Sequence, residues 1–83
     1  MKTTRYFDEQ VLRKRPYHDV AWIPSILAKP VRRATQPDGR VRFWGAVSDP
    51  RDGVRRYLRV VTLDDGETVH NAFFDRGFEE TNG

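Results

Sequence analysis

The 83-residue sequence contains no cysteine, and no apolar run in it is long enough to cross a bilayer. The absence of cysteine excludes a disulfide framework and any zinc site built on thiolates. A membrane-spanning helix needs roughly 20 apolar residues, and the N-terminal stretch MKTTRYFDEQ has no apolar signal core. We therefore expect a soluble, cytoplasmic protein that does not contact a membrane.

Histidine and clustered glycine are also scarce. The only histidines, His18 and His70, are far apart in sequence and show no HxxH-type spacing, so we expect no metal site. The glycines lie singly at turns or within strands, and none forms a phosphate-binding loop. The sequence therefore predicts no cofactor.

The length of the chain limits it to one domain with a modest core, spanning residues 1–83. A third of the residues are charged, but ten aromatic residues suffice to anchor a fold. We expect the two ends, residues 1–4 and 77–83, to be mobile.

Positive charge is concentrated in the middle of the chain. Residues 29–59 hold nine basic and three acidic side chains, whereas residues 60–83 hold one basic and six acidic side chains. Nearly all the basic residues are arginines, whose planar fork suits phosphate oxygens and stacks on bases. A basic middle favours a nucleic-acid partner, RNA or the ribosome. The alternative is a charged strand surface that only keeps the sheet solvated.

Two helices are predicted in the N-terminal part. Thr3 or Thr4 can cap a helix that begins near Arg5, has its apolar residues on one face and ends at Pro16. The second helix covers residues 18–28, with Asp19 as a candidate cap. Because a proline inside a helix removes a hydrogen bond, Pro24 predicts either a kink or a helix that begins near Ile23.

Strand patterns follow the helices. The predicted strands are residues 31–35, 40–47, 55–63 and 67–74. Gln36-Pro37-Asp38-Gly39 and Asp64-Asp65-Gly66 are turns, and 48–53 is a polar loop expected to be the most mobile part of the domain. The sequence therefore predicts an α+β fold in which two N-terminal helices pack on one face of a four-stranded antiparallel sheet and leave the other face open.

The open face is the expected functional site. RNA-binding sheets carry arginines for phosphates and aromatic rings for unstacked bases. The residues predicted to contact nucleic acid are Arg40, Arg42, Trp44, Arg55 and Arg56. Singly, each aromatic residue is explained as well by packing within the sheet.

The last strand offers a residue suited to acid–base chemistry. His70 has an ordinary pKa near neutrality, although a histidine in a strand is often only a packed one. His70 and Asn71 are adjacent, so only one of them should lie on the open face. For metal-independent RNA cleavage, the predicted catalytic residues are His70, Arg59, Arg76 and Tyr57. In this scheme His70 is the base or acid, the arginines clamp the phosphate, and Tyr57 positions the substrate or serves as the acid.

The order of elements resembles the small bacterial toxins of the RelE and BrnT type, which also have helices followed by an antiparallel sheet. The residues that carry the resemblance are the helical half ending in Lys29-Pro30, the turn Asp38-Gly39-Arg40, and the strand sequences 57–61 and 68–76. It implies a RelE-like domain that cleaves mRNA and is neutralised by an antitoxin encoded beside it. It also implies functional roles for Arg59, His70 and Arg76.

The sequence thus leads to a toxin-type ribonuclease as the first hypothesis. The alternatives are a non-catalytic module that binds nucleic acid or a protein through the same face, and a structural accessory protein.

Overall fold

The structure is a computed structural model that describes residues 1–15 and 19–79. It confirms an α+β fold in which N-terminal helices are followed by a four-stranded antiparallel sheet. The predicted helix stop at Pro16 lies outside the described residues, as does His18.

The first helix combines a π-helical turn, Phe7–Val11, with a short α-helical turn, α1 (Leu12–Lys14). The backbone N–H of Phe7 donates to the hydroxyl of Thr4, which confirms the threonine cap. Phe7 and Val11 are almost fully buried against the sheet, as the apolar spacing predicted. Burial of two such side chains contributes about 1.5–3 kcal/mol each.

The second helix, α2, comprises Trp22–Ala28. Pro24 therefore lies in its first turn, where a missing N–H costs no helical hydrogen bond, and the prediction of a late helix start is confirmed. The carboxylate of Asp19 accepts the N–H of Ala21 just before the helix. No helix among the described residues has the length and apolar character needed to cross a bilayer.

The sheet is a meander of four strands in sequence order, each antiparallel to the next. The strands are β1 (Arg32–Thr35), β2 (Val41–Ser48), β3 (Arg55–Thr62) and β4 (Val69–Phe74). Gly39 has a positive φ in the first predicted turn and Gly66 in the last. The fourth strand begins later than predicted because the Asp65 carboxylate accepts the N–H groups of Glu67 and Thr68 and holds both in the turn.

The core lies between the helices and one sheet face. Alternate residues of β2 and β3 lie on this face. Among them, Leu58, Val60 and Thr62 of β3 are completely buried. Gly45 lies directly beneath Ile26 of α2, and there is no room for a side chain at that position. The opposite sheet face carries Arg42 and Trp44 of β2 and Tyr57 and Arg59 of β3.

The polar loop between β2 and β3 has a buried anchor. The side chain of Asp49 has no exposed surface, and its carboxylate binds the guanidinium groups of Arg51 and Arg56 at 2.6 and 3.0 Å. Those hydrogen bonds, from Arg51 above all, hold the pKa of Asp49 below its usual value in spite of its burial. The loop 48–53, which the sequence predicts to be the most mobile part of the domain, is therefore held by ion pairs.

Residues near both ends of the described chain contact the sheet. Lys2 and Thr4 form backbone hydrogen bonds with Val69, which extends the sheet at the edge of β4. Near the other end, the ring of Phe78 stacks on Trp44 with 5.2 Å between centroids. Residues 80–83 lie outside the described part of the chain.

The close approach at Gly45 leads to a stability prediction. We expect Gly45→Ala to lower the free energy of unfolding by about 1–3 kcal/mol, because the new methyl group overlaps the side chain of Ile26. Urea denaturation followed by tryptophan fluorescence measures this.

Two variants control for the effect of a larger side chain alone. Ala46→Ser adds one heavy atom on the exposed face and should change stability by less than about 0.5 kcal/mol. In an Ile26→Ala background, Gly45→Ala should cost less than it does in the wild type. An equal cost in both backgrounds would contradict the overlap.

Candidate functional site

A β-bulge in the last strand determines where His70 lies. Val61 pairs with Asn71 and Thr62 pairs with Val69, so His70 is an extra residue without a partner on β3. A bulge re-aims side chains and breaks the strict alternation of a strand. His70 and Asn71 consequently line the same cavity, and the prediction that only one of them could lie on the open face is wrong.

This cavity, which we call the His70 cavity, has a volume of about 340 Å³ and opens on the sheet face. It is lined by Tyr6, Gln36, Arg40, Arg42, Arg59, Val61, His70, Asn71 and Phe73. Three guanidinium groups and an imidazole are therefore gathered around one space, and none of these lining residues is a carboxylate. Such a set of groups suits an anion with several oxygen atoms, such as a phosphodiester.

His70 is held on two sides by the N-terminal segment. Its Nδ1 atom lies 3.0 Å from the hydroxyl of Thr4, and its ring stacks on Tyr6 with 4.9 Å between centroids. Burial lowers the pKa of His70, and the positive charge of Arg40 lowers it further. The imidazole is consequently neutral at physiological pH.

The hydrogen bond with Thr4 bears on the tautomer of His70. The Thr4 oxygen already accepts the N–H of Phe7, so its own proton is available for donation to Nδ1. This favours the neutral tautomer with the proton on Nε2, which can donate a hydrogen bond. When Nδ1 carries the proton and donates it to Thr4, Nε2 becomes a proton acceptor.

Arg40 and Arg42 supply most of the available charge in the cavity. The Nε of Arg42 donates to the amide oxygen of Gln36 at 3.0 Å, an uncharged partner that leaves the guanidinium charge uncompensated. Arg40 has a long contact of 3.8 Å with Asp38, and about two-fifths of its side chain is exposed. A long, exposed ion pair of this kind is weak.

Arg59 is bound more tightly. Its Nε and Nη2 atoms both donate to one oxygen of Asp75, at 3.0 and 2.6 Å, and the indole N–H of Trp44 donates to the same oxygen. Burial of the Asp75 carboxyl raises its pKa, but the hydrogen bonds from Trp44 and Arg59 outweigh this, so its pKa lies below the usual value. Arg59 thus reaches the cavity with part of its charge neutralised.

Trp44 is not available as a platform for a base. It is 6% exposed, because Phe78 covers one part of it and the guanidinium of Arg59 lies 5.5 Å from its ring. Its ring packs against the protein itself, and the predicted contact of Trp44 with nucleic acid stays a prediction.

The remaining predicted residues lie around other cavities. Tyr57, Arg55, Arg56 and Arg76 line a cavity of about 220 Å³ beyond the Asp75 end of β4. The structure therefore brings His70 and Arg59 together with Arg40 and Arg42, but it does not bring Tyr57 or Arg76 to His70. Arg56 is engaged by Asp49 and Asp52, which makes it part of the loop anchor.

Sequence reasoning missed Tyr6 and Gln36, which line the cavity, and Thr4, which contacts His70. Thr4 and Tyr6 reach His70 from more than 60 positions away in sequence, because the segment 2–4 pairs with Val69. No local pattern signals such a contact. Gln36 belongs to the predicted turn, and its proximity to Arg42 follows from the β1–β2 hairpin.

Comparison of the chain with protein-family models, curated proteins and solved structures gives no match. The interpretation of the site therefore depends on its residues and their geometry. Within residues 1–15 and 19–79, no three histidine, aspartate or glutamate side chains are arranged to hold a metal ion.

The environment of His70 leads to a prediction for its titration. We expect its pKa, measured by NMR, to lie below 6.5, and Arg40→Gln to raise it by removing the nearby positive charge. Arg33→Gln, which removes a charge on β1, should leave it unchanged. A pKa of 6.5 or above in the wild type would contradict this description of the site.

The lowered pKa of His70 also makes the stability of the fold depend on pH. A folded-state pKa below that of the unfolded chain means that the folded protein binds fewer protons. The contribution of His70 to stability is therefore complete above pH 6.5 and is lost as the pH falls through its folded pKa.

Proposed function

We propose that this protein binds RNA, and that the His70 cavity receives a phosphate of the RNA backbone. The observation that carries the proposal is the convergence of Arg40, Arg42 and Arg59 on one open cavity whose lining contains no carboxylate. Arginine forks bind phosphate oxygens through paired hydrogen bonds. A charged surface that served only to solvate the sheet would not require its arginines to surround a common space.

Aromatic residues favour a single-stranded nucleic acid. The side chain of Tyr6 is 48% exposed, and it lines the same cavity together with the ring of Phe73. Unstacked bases pack on exposed rings of this kind, whereas a duplex keeps its bases inside the stack. Asn71 adds an amide group whose oxygen accepts the N–H of Ala72, so its NH₂ group remains to donate to a ribose or a base.

A second candidate function is cleavage of the bound strand. The observation that favours it is His70, neutral at physiological pH, in the same cavity as the three guanidinium groups. In this reaction His70 adopts the tautomer in which Nδ1 donates its proton to Thr4, so Nε2 takes the proton of the ribose 2′-hydroxyl, and the 2′-oxygen bonds to phosphorus. The bond from phosphorus to the 5′-oxygen breaks, and that oxygen takes a proton from water or from the phenol of Tyr6.

This candidate would make the protein a toxin-type, metal-independent ribonuclease that acts on mRNA, as the resemblance to RelE and BrnT toxins implies. Its regulator would be an antitoxin protein. The placement of Tyr57 and Arg76 away from His70 favours binding over cleavage, because the cleavage scheme then lacks two of its four expected residues.

RNA binding predicts a charge-dependent affinity. Fluorescence anisotropy with a labelled oligouridylate should give an affinity that falls steeply with salt, by about 0.7 in log–log slope for each phosphate contacted. Arg42→Ala should weaken binding by roughly 3- to 10-fold, the loss expected for one hydrogen bond of typical strength.

Arg13→Ala is the matched control, since Arg13 is an exposed arginine that does not line the His70 cavity. Equal affinities of the two variants would count against the cavity as the binding site. Absence of RNA binding by the wild type at low salt would refute the proposed function.

Cleavage makes a separate prediction. If His70 is the base, His70→Ala should reduce the rate of RNA cleavage by about 100-fold or more, while RNA affinity changes little. The measurement is gel electrophoresis of labelled RNA incubated with protein purified in the presence of a chelator. Intact RNA with the wild type would leave binding as the function.

A further inference from the structure

A second basic cavity lies along β4 beyond the His70 cavity. It has a volume of about 390 Å³ and is lined by Arg15, Arg51, Arg56, Phe73, Phe74 and Arg76. Four arginines and two aromatic rings surround it, and no carboxylate lines it. We refer to it as the Arg76 cavity.

Two of its four arginines have charges that are compensated. Arg51 and Arg56 bind Asp49, and Arg56 also binds Asp52, so two acidic groups balance them. Arg15 and Arg76 form no ion pair with any residue in the described ranges. The cavity therefore retains the charge of these two guanidinium groups.

Phe73 connects the two cavities, because it lines both of them. From His70 to Phe74 the strand advances four residues, which corresponds to about 13 Å at 3.3 Å per residue. Neighbouring phosphates of one strand are joined through a single ribose, a linkage that is shorter than this distance. The two cavities are therefore spaced for phosphates that are not adjacent.

We propose that the RNA strand follows β4 from the His70 cavity to the Arg76 cavity, with at least three nucleotides in contact with the protein. This inference rests on the proposed RNA binding and adds the path and the length of the bound strand. Arg15 and Arg76 hold a phosphate at the far end, and Phe73 lies beneath the nucleotide between the two sites. This path assigns Arg76 to RNA binding and not to contact with the phosphate that would be cleaved.

The test uses the full chain and labelled oligouridylates of two, four and eight nucleotides in fluorescence anisotropy at fixed salt. The wild type should bind the longer oligonucleotides more tightly than the dinucleotide. Arg76→Ala and Arg15→Ala should each weaken binding of the longer oligonucleotides by roughly 3- to 10-fold and reduce the salt slope by about 0.7. Both variants should bind the dinucleotide as the wild type does.

Two comparisons separate the footprint from the binding function. Arg42→Ala should weaken binding at every length, whereas Arg13→Ala, two residues before Arg15 in the chain, should have no effect. If Arg42→Ala weakens binding but Arg15→Ala and Arg76→Ala bind all lengths like the wild type, the footprint is overturned and RNA binding stands. If the wild type binds no oligonucleotide, both proposals fail.

Discussion

The pairing of the N-terminal segment with Val69 is the contact on which the site depends. Lys2 and Thr4 bind the backbone of this fully buried residue, and the same segment begins the first helix. The Thr4 hydroxyl then serves two partners, the N–H of Phe7 and Nδ1 of His70. One short stretch of chain thereby caps the helix, places Phe7 in the core and fixes the imidazole. Because these functions share one element, the geometry of His70 is coupled to the integrity of the fold.

Asp75 organises the opposite end of the open face. A single carboxylate oxygen receives three N–H groups, two from Arg59 and one from Trp44. Phe78 then covers the indole and also packs against Tyr57. The face that the sequence leaves open is consequently divided: the part beside His70 remains a basic cavity, while the part around Trp44 is closed by the residues that follow β4.

The uneven distribution of charge along the chain has a structural counterpart. Two acidic residues of the C-terminal half, Asp65 and Asp75, accept hydrogen bonds from groups close to them. Asp65 holds the last turn, and its hydrogen bonds to Thr68 and Glu67 lower its pKa to about 2. Asp75 is bound to Arg59 in the same manner. The basic cavities along β4 therefore keep carboxylates out of their linings although acidic residues are close in sequence.

The sequence by itself determined the elements and the faces of the strands. Period-two alternation is a local property, so it assigns Val41 and Phe43 to the core and Arg42 to the other face without knowledge of the partner strands. The late start of α2 also follows locally, from the lack of an N–H at Pro24.

Tertiary structure alone decided which chemical groups meet. The bulge at His70, the contacts of Thr4 and Tyr6 with it, and the cover of Phe78 over Trp44 join residues that are distant in sequence. Such contacts depend on strand register and on the packing of the chain ends, which composition and periodicity do not encode.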